Sequence, residues 1–260
     1  MDPNIVKSIM EKLKETEETH QVKIPLAIES GSRGWGFAAA NADYDCRFIY
    51  VHKRDWYLSV QEKKDFIEYP VDEIFDIRGY DLSRALKYIM KSQATILEYL
   101  SSNVGYIRNN TVIGKLQTLA IDFFNPIPVS YHYLNLARNM LKEVTESPTA
   151  KIKKYFYILR PVANLNYIWQ YNKMPYMEYA KTLEAIDPDL AILDAINELK
   201  ALKASSLEHD LIPMYTPLIG YFQSEIETFD QRLKTMKHEK NKNYDLIDDA
   251  FRSIIEDVWQ

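Results

Sequence analysis

Three of the chain's seven glycines, Gly31, Gly34 and Gly36, fall within six residues, and Asp43 and Asp45 follow at the head of a strand-like run. A glycine-rich turn lets the backbone approach a ligand closely and offers its N–H groups to phosphate. Two carboxylates at i and i+2 of a strand point to one face, with Cα atoms about 6.6 Å apart. Oxygens placed that way can hold one or two Mg²⁺ ions against a triphosphate. A seat for phosphates followed by a clamp for metal is the logic of nucleotidyl transfer.

The flanking pattern supports a strand–turn–strand unit. Asp2 and Pro3 read as N-cap and first residue of a helix, followed by Val6, Ile9, Met10 and Leu13 at one-face spacing. Lys23 to Glu29 reads as a strand interrupted early by Pro25. From Asp43 to Val51 the faces alternate. Tyr44, Cys46, Phe48 and Tyr50 share one; Asp43, Asp45, Arg47, Ile49 and Val51 share the other. The second face is charged at its start and apolar at its end, as for a strand that opens into a site and then runs under cover. Lys64–Tyr69 and Ile74–Ile77 read as two further short strands. Asp81 reads as the N-cap of a helix with the stripe Leu82, Ala85, Leu86 and Ile89. Beyond it the periodicity is helical, near 93–100, 111–122, 130–143, 149–170, 189–204, 217–236 and 245–258, punctuated by prolines.

Composition excludes several classes. At 260 residues, 47% hydrophobic and 27% charged, the chain can bury a globular core. The single cysteine, Cys46, excludes an internal disulfide and a cysteine-built zinc site. No apolar run reaches the roughly 20 residues that span a bilayer, and the start lacks the basic-then-apolar signal pattern, so no membrane association and a cytoplasmic location are expected. A net charge of −5 argues against a protein that coats nucleic acid. Its distribution is uneven: residues 138–173 carry seven basic and two acidic side chains, and residues 178–198 one basic and six acidic. Such asymmetry marks either a local anionic partner or two solvated helix faces.

Gly31-Ser32, Gly36 and Asp43-x-Asp45 resemble the signature of the DNA polymerase β nucleotidyltransferase superfamily. The fuller run Gly31–Phe37 and Asp43–Val51 is similar to a branch associated with RNA repair and RNA ligases, as are Asp76–Leu82, Glu98–Leu100 and Lys153–Pro161. The likeness covers most of the first 175 residues. It departs from the pattern at Asn41-Ala42, where a serine commonly precedes the first aspartate. The resemblance implies an α+β fold, with a small polymerase β-like mixed sheet and helices (1–110, catalytic) followed by a larger all-helical domain (111–260, nucleotide and acceptor binding). It implies a metal-dependent enzyme that moves an NMP from an NTP to an acceptor hydroxyl, that of a tRNA-like RNA end, releasing pyrophosphate. Two Mg²⁺ ions, with Mn²⁺ as a substitute, would be the cofactors, and RNA-repair enzymes would be partners. Nucleotidylation of a protein, as in some toxin–antitoxin pairs, and a non-catalytic nucleotide- or RNA-binding module are the competing readings.

The superfamily also places a third carboxylate on a later strand. Asp76, set between Phe75 and Ile77, is the expected residue, and Glu68 the alternative. Gly31, Ser32, Arg33 and Arg47 are the expected phosphate contacts, because arginine binds phosphate bidentately. Arg47 shares a face with the aspartates, so an ion pair with one of them is an equal alternative. Lys153, Tyr157 and Arg160, at helical spacing beside Lys154, form an expected basic stripe for nucleotide or RNA, or a solvated flank. Trp35 and Phe37 suit core packing more than base stacking. His132 reads as structural, and the five histidines lack metal-ligand spacing.

Overall fold

The computed structural model describes residues 1–39, 42–72, 74–204, 210–237, 241 and 243–260. Along the chain run α1 (Pro3–His20), β1 (Val22–Glu29), α2 (Gly31–Trp35), β2 (Tyr44–His52), α3 (Arg54–Tyr57), β3 (Phe66–Glu68), β4 (Phe75–Asp81), α4 (Leu82–Met90), α5 (Ala94–Ser101), β5 (Gly105–Arg108) and α6 (Asn110–Asp122). They are followed by α7 (Pro126–Thr145), β6 (Thr149–Lys151), α8 (Ile152–Tyr171), α9 (Tyr179–Ile186), α10 (Leu190–Ala204), β7 (Leu211–Pro213), α11 (Ile219–Thr235) and α12 (Tyr244–Trp259). The fold is α+β, a mixed sheet among many helices. Two compact units divide it: Met1–Gly34, Asp43–Phe124 and Lys240–Gln260 form the first, Trp35–Ala42 and Asn125–Glu239 the second. This differs from a division into 1–110 and 111–260. Helix α6 stays with the sheet, and the chain returns to the first unit for α12.

The first unit is built on a five-stranded sheet of order β3-β4-β2-β1-β5. β2 and β4 are parallel; the other neighbours are antiparallel. Tyr44, Cys46, Phe48 and Tyr50 enter one core with Ile9 and Leu13 of α1, while Met10, on the same expected stripe, lies exposed. Ile49 and Val51 are buried on the opposite face, where α4, α6 and α12 pack against β1 and β2. Local signals explain the ends of several elements. Asp2 caps α1 through the Asn4 N–H, and Asp81 caps α4 through the Ser83 N–H. Asn109 and Asn125 do the same for α6 and α7. Pro25 sits inside β1, where the pairing with β2 shifts register between Lys23 and Leu26, the kind of irregularity that accommodates a missing N–H.

Several elements differ from expectation. β4 continues through Arg78, Gly79 and Tyr80 to Asp81 instead of stopping at Ile77. The glycine segment is not an open turn: Gly31–Trp35 closes into a short helix, with Gly31 and Gly36 at φ of 56° and 86°. β5 carries no alternating pattern, yet pairs with β1. Helix α7 begins four residues before the expected start, because Pro126 and Pro128 occupy its first turn, where no N–H partner is lost.

The second unit pairs α7 with α8 along their length, and α9, α10 and α11 pack against them. Residues 149–151, expected as the start of a helix, instead form β6 in a two-stranded ribbon with β7. Helix α9 was not expected either. Trp35 and Phe37 belong to this unit, within ring-packing distance of Phe156, Tyr157 and Tyr179.

Within the Asp76–Leu82 run, Gly79 has a packing reason. A Cβ there would drive into the ring of Phe48, which is buried on β2 beside it. Gly79→Ala should therefore destabilise the protein by about 1–3 kcal/mol, as overpacking does, read as a lowered urea midpoint. An unchanged midpoint would show that the Phe48 ring has room to turn.

Candidate active site

The parallel pairing of β2 with β4 sets Asp45 beside Asp76 and Arg47 beside Arg78. Each strand thus offers an Asp-x-Arg pair, and like charges sit side by side, which is unfavourable unless something lies across them. Arg47 does so. Its Nη2 donates to Asp45 Oδ1 at 2.7 Å and to Asp76 Oδ2 at 2.8 Å. Its Nη1 donates to the carbonyl oxygens of Asp76 at 2.6 Å and Cys46 at 3.2 Å. Arg78 Nε holds the other carboxylate oxygen of Asp76 at 2.8 Å. The acid side chains remain 20% and 14% exposed, so solvent and solutes can still reach them.

The segment after β1 closes over this pair. The Ser30 N–H donates to the carbonyl of Asp45 at 2.8 Å. Gly31 then turns into the left-handed region, and its Cα lies against Asp45 Oδ2 so closely that a Cβ would overlap that oxygen. Arg33 Nε donates to the carbonyl of Asp43 at 3.0 Å, with its guanidinium 4.0 Å over the Tyr44 ring. Burial pushes the Asp45 carboxyl above its ordinary range; Arg47 opposes the shift, and the nearby charges of Asp43 and Asp76 add to it. Arg47 is held charged against its own burial by Tyr99, Asp45 and Asp76.

Two residues of the site, Glu29 and Arg78, carried no assigned role in the sequence. Glu29 ends β1 fully buried, its Oε1 accepting the Asp45 N–H at 3.1 Å and its Oε2 accepting the Tyr106 hydroxyl. Burial raises its pKa to about 7, against the hydrogen bonds of Tyr106 and Asp45. The signal was a lone carboxylate closing the apolar run Leu26, Ala27 and Ile28. Arg78 was likewise in view, two residues after Asp76, without a role.

The fit to a divalent cation can be judged from the donors. Asp45 Oδ1 and Asp76 Oδ2 converge on one atom, Nη2 of Arg47. Two carboxylate oxygens aimed at one positive point suit a hard ion, which would draw them in to roughly 2.0–2.1 Å. Asp43, half-buried just before β2, acts on Asp45 through its charge. Among the described residues no three His, Cys, Asp or Glu side chains already converge as a ligand set. The pair fits such an ion, and Asp43 would have to turn in to make three. Glu68, the alternative third acid, is paired with Arg78 one strand further out and is exposed. Asp81 is structural: fully buried, it caps α4 and accepts from the Tyr57 hydroxyl at 2.8 Å. Asn41 lies outside the described residues.

The expected basic stripe of α8 belongs to the second unit and is not a solvated stripe. Arg160 is 3% exposed, with its guanidinium 4.2 Å over Trp35 and 5.9 Å from the Tyr133 ring centre. Tyr157 packs edge-on to Trp35. Lys154 pairs with Glu143 at 2.6 Å, and Lys153 is half-buried. Trp35 and Phe37 are packing residues within this cluster, and Lys203 donates to the Phe37 carbonyl.

A family model described as RlaP, the RNA repair pathway DNA polymerase beta family, matches residues 5–253. The chain belongs to that family. Membership makes it a polymerase β-type nucleotidyltransferase homologue linked to RNA repair. It is 34% identical over 252 residues to the uncharacterized protein YcgL of Bacillus subtilis (strain 168), covering 97% of each chain. Among solved structures, a nucleotidyltransferase-like protein from Exiguobacterium sibiricum 255-15 aligns with 86% of this chain and 75% of its own at 14% identity. Its TM-score is 0.32, too loose to bear on the site. No helix among the described residues is long and apolar enough to cross a membrane.

Glu29 supplies a pH test. Its folded pKa lies above the unfolded value of 4.5, so its contribution to stability is full below that value and is lost as pH rises through about 7. Glu29→Gln should remove about 3 kcal/mol of that decline, seen as a flatter plot of unfolding free energy between pH 4.5 and 7. A slope equal to that of the native protein would mean Glu29 titrates as an ordinary carboxylate.

Proposed function

We propose that the chain is a metal-dependent nucleotidyltransferase that moves an NMP from an NTP to an acceptor hydroxyl, an RNA end, and releases pyrophosphate. The observation that carries this reading is the convergence of Asp45 and Asp76 on a single cationic point, with the other oxygen of Asp45 against Gly31. Asp45, Asp76 and, once turned inward, Asp43 are the residues that would hold Mg²⁺ or Mn²⁺. A bound ion would neutralise the triphosphate and lower the pKa of the attacking hydroxyl. The chain's own groups do the rest. The Gly31–Arg33 segment is where the phosphates come close to Asp45. Arg47 supplies a second positive charge, for the phosphates. Glu29, through the Asp45 N–H, fixes the start of β2. Phosphoryl transfer asks for positioning and charge neutralisation more than covalent chemistry, and two paired strands with the Gly31 backbone set against Asp45 provide a frame for both.

The RNA acceptor rests on the family's link to RNA repair. The burial of Arg160 and the pairing of Lys154 leave the 138–173 charge excess a weaker argument for RNA than the sequence suggested. In the second unit the proposed task is to orient base and acceptor.

Labelled NTPs with Mg²⁺, offered RNA in one reaction and protein in another, test the proposal. Extended RNA and released pyrophosphate are expected. Asp45→Asn should lower that turnover by about a thousandfold or more, since a carboxylate ligand underlies several kcal/mol of charge stabilisation, with the far-ultraviolet dichroism unchanged. Labelled protein would move the acceptor class, and a fully active Asp45→Asn enzyme would remove the assignment.

A further inference from the structure

We propose that Arg47 is a built-in counter-cation: it holds the Asp45–Asp76 pair while no divalent ion is bound, and gives way when ion and nucleotide phosphates arrive, so that the two load together. The inference rests on the reading of this pair as the metal-holding carboxylates.

The geometry sets Arg47 and an ion in competition for one point. Nη2 of Arg47 lies 2.7 and 2.8 Å from the same two oxygens that would bind the ion. An ion drawn to roughly 2.0–2.1 Å from both oxygens would share that point with another positive charge. One of the two must leave. Nor can the carboxylates simply offer other atoms. Asp76 Oδ1 is held by Arg78, and Asp45 Oδ2 is pressed against Gly31.

Arg47 is also built to move without being lost. Its Nη1 is anchored on two backbone carbonyls, those of Asp76 and Cys46, from adjacent strands. These acceptors persist when the carboxylates turn to an ion. The guanidinium can pivot about Nη1 and present Nη2 to a phosphate oxygen, an acceptor for which arginine is well suited. Nucleotide binding then draws away the group that blocks the ion. By reciprocity, an ion in place frees the group that grips the nucleotide. An ion alone, with no phosphate to receive Nη2, meets the arginine as a competitor.

The test uses full-length protein and Mn²⁺, with free ion followed by electron paramagnetic resonance. Arg47→Met keeps much of the side-chain length and removes the charge. In the absence of nucleotide it should bind Mn²⁺ about tenfold more tightly than the native protein. With a non-hydrolysable NTP analogue present, and the analogue's own Mn²⁺ binding subtracted, the native protein should gain more affinity than Arg47→Met, by about the same factor. Should Arg47→Met not fold, Arg47→Lys, which cannot span both carboxylates and both carbonyls, should still bind Mn²⁺ alone more tightly than the native protein. Equal or tighter Mn²⁺ binding by the native protein without nucleotide overturns the counter-cation while leaving the carboxylate site standing. Absence of Mn²⁺ binding in every protein, with and without analogue, overturns the metal-dependent reading and this inference with it.

Discussion

The site depends on a register: β2 and β4 run parallel with Asp45 opposite Asp76. Two partly buried carboxylates placed side by side repel unless a cation lies between them, and breaking a buried pair leaves an uncompensated charge at considerable cost. Arg47 solves this from within the sheet, since a side chain two residues along β2 returns to the same face. A single residue of slip would turn one aspartate into the core beside Ile9 and Leu13. The apolar alternation of Tyr44, Cys46, Phe48 and Tyr50 against α1 therefore positions the charged face as surely as it fills the interior.

Around that pair the neighbouring segments act as fixed walls. The Gly31 backbone closes on one oxygen of Asp45, Arg78 holds one of Asp76, and Glu29 with Tyr106 ties the backbone where β2 begins. Glu29 is buried within reach of Asp45's charge. A carboxyl that holds its proton near neutrality keeps a further negative charge out of a cluster already crowded with them. The sheet thus carries its acids in two grades, those open to a cation and one sealed behind them.

Much of this was legible in the residues because it is local. The alternation from Asp43 to Val51, the flanking of Asp76 by Phe75 and Ile77, the cap at Asp81 and the stripe from Leu82 to Ile89 are each read over a few residues, and the periods of strand and helix decide them. What escaped depends on partners distant in the chain. Gly105–Arg108 becomes a strand only because β1 offers it an edge, and Thr149–Lys151 only because Leu211–Pro213 returns to it. Arg160 reads as one of a basic row; its burial comes from Trp35 and Tyr133, which no helical spacing could announce. Clustered glycines suggested an open loop, whereas Gly31 turns into a short helix because Asp45 leaves no space there for a side chain.

Helix α12 gives the architecture a direction in time. It packs on α4, α6 and the central strands; Lys115 of α6 reaches Ser253 and Asp257, and the indole of Trp259 donates to the His52 carbonyl at 2.9 Å. These residues leave the ribosome after the whole of Asn125–Glu239. The helical unit can settle while the sheet, begun first, still lacks the segment that seals its face. The carboxylate cluster thus belongs to the unit whose packing waits for α12, a segment translated after the helical unit.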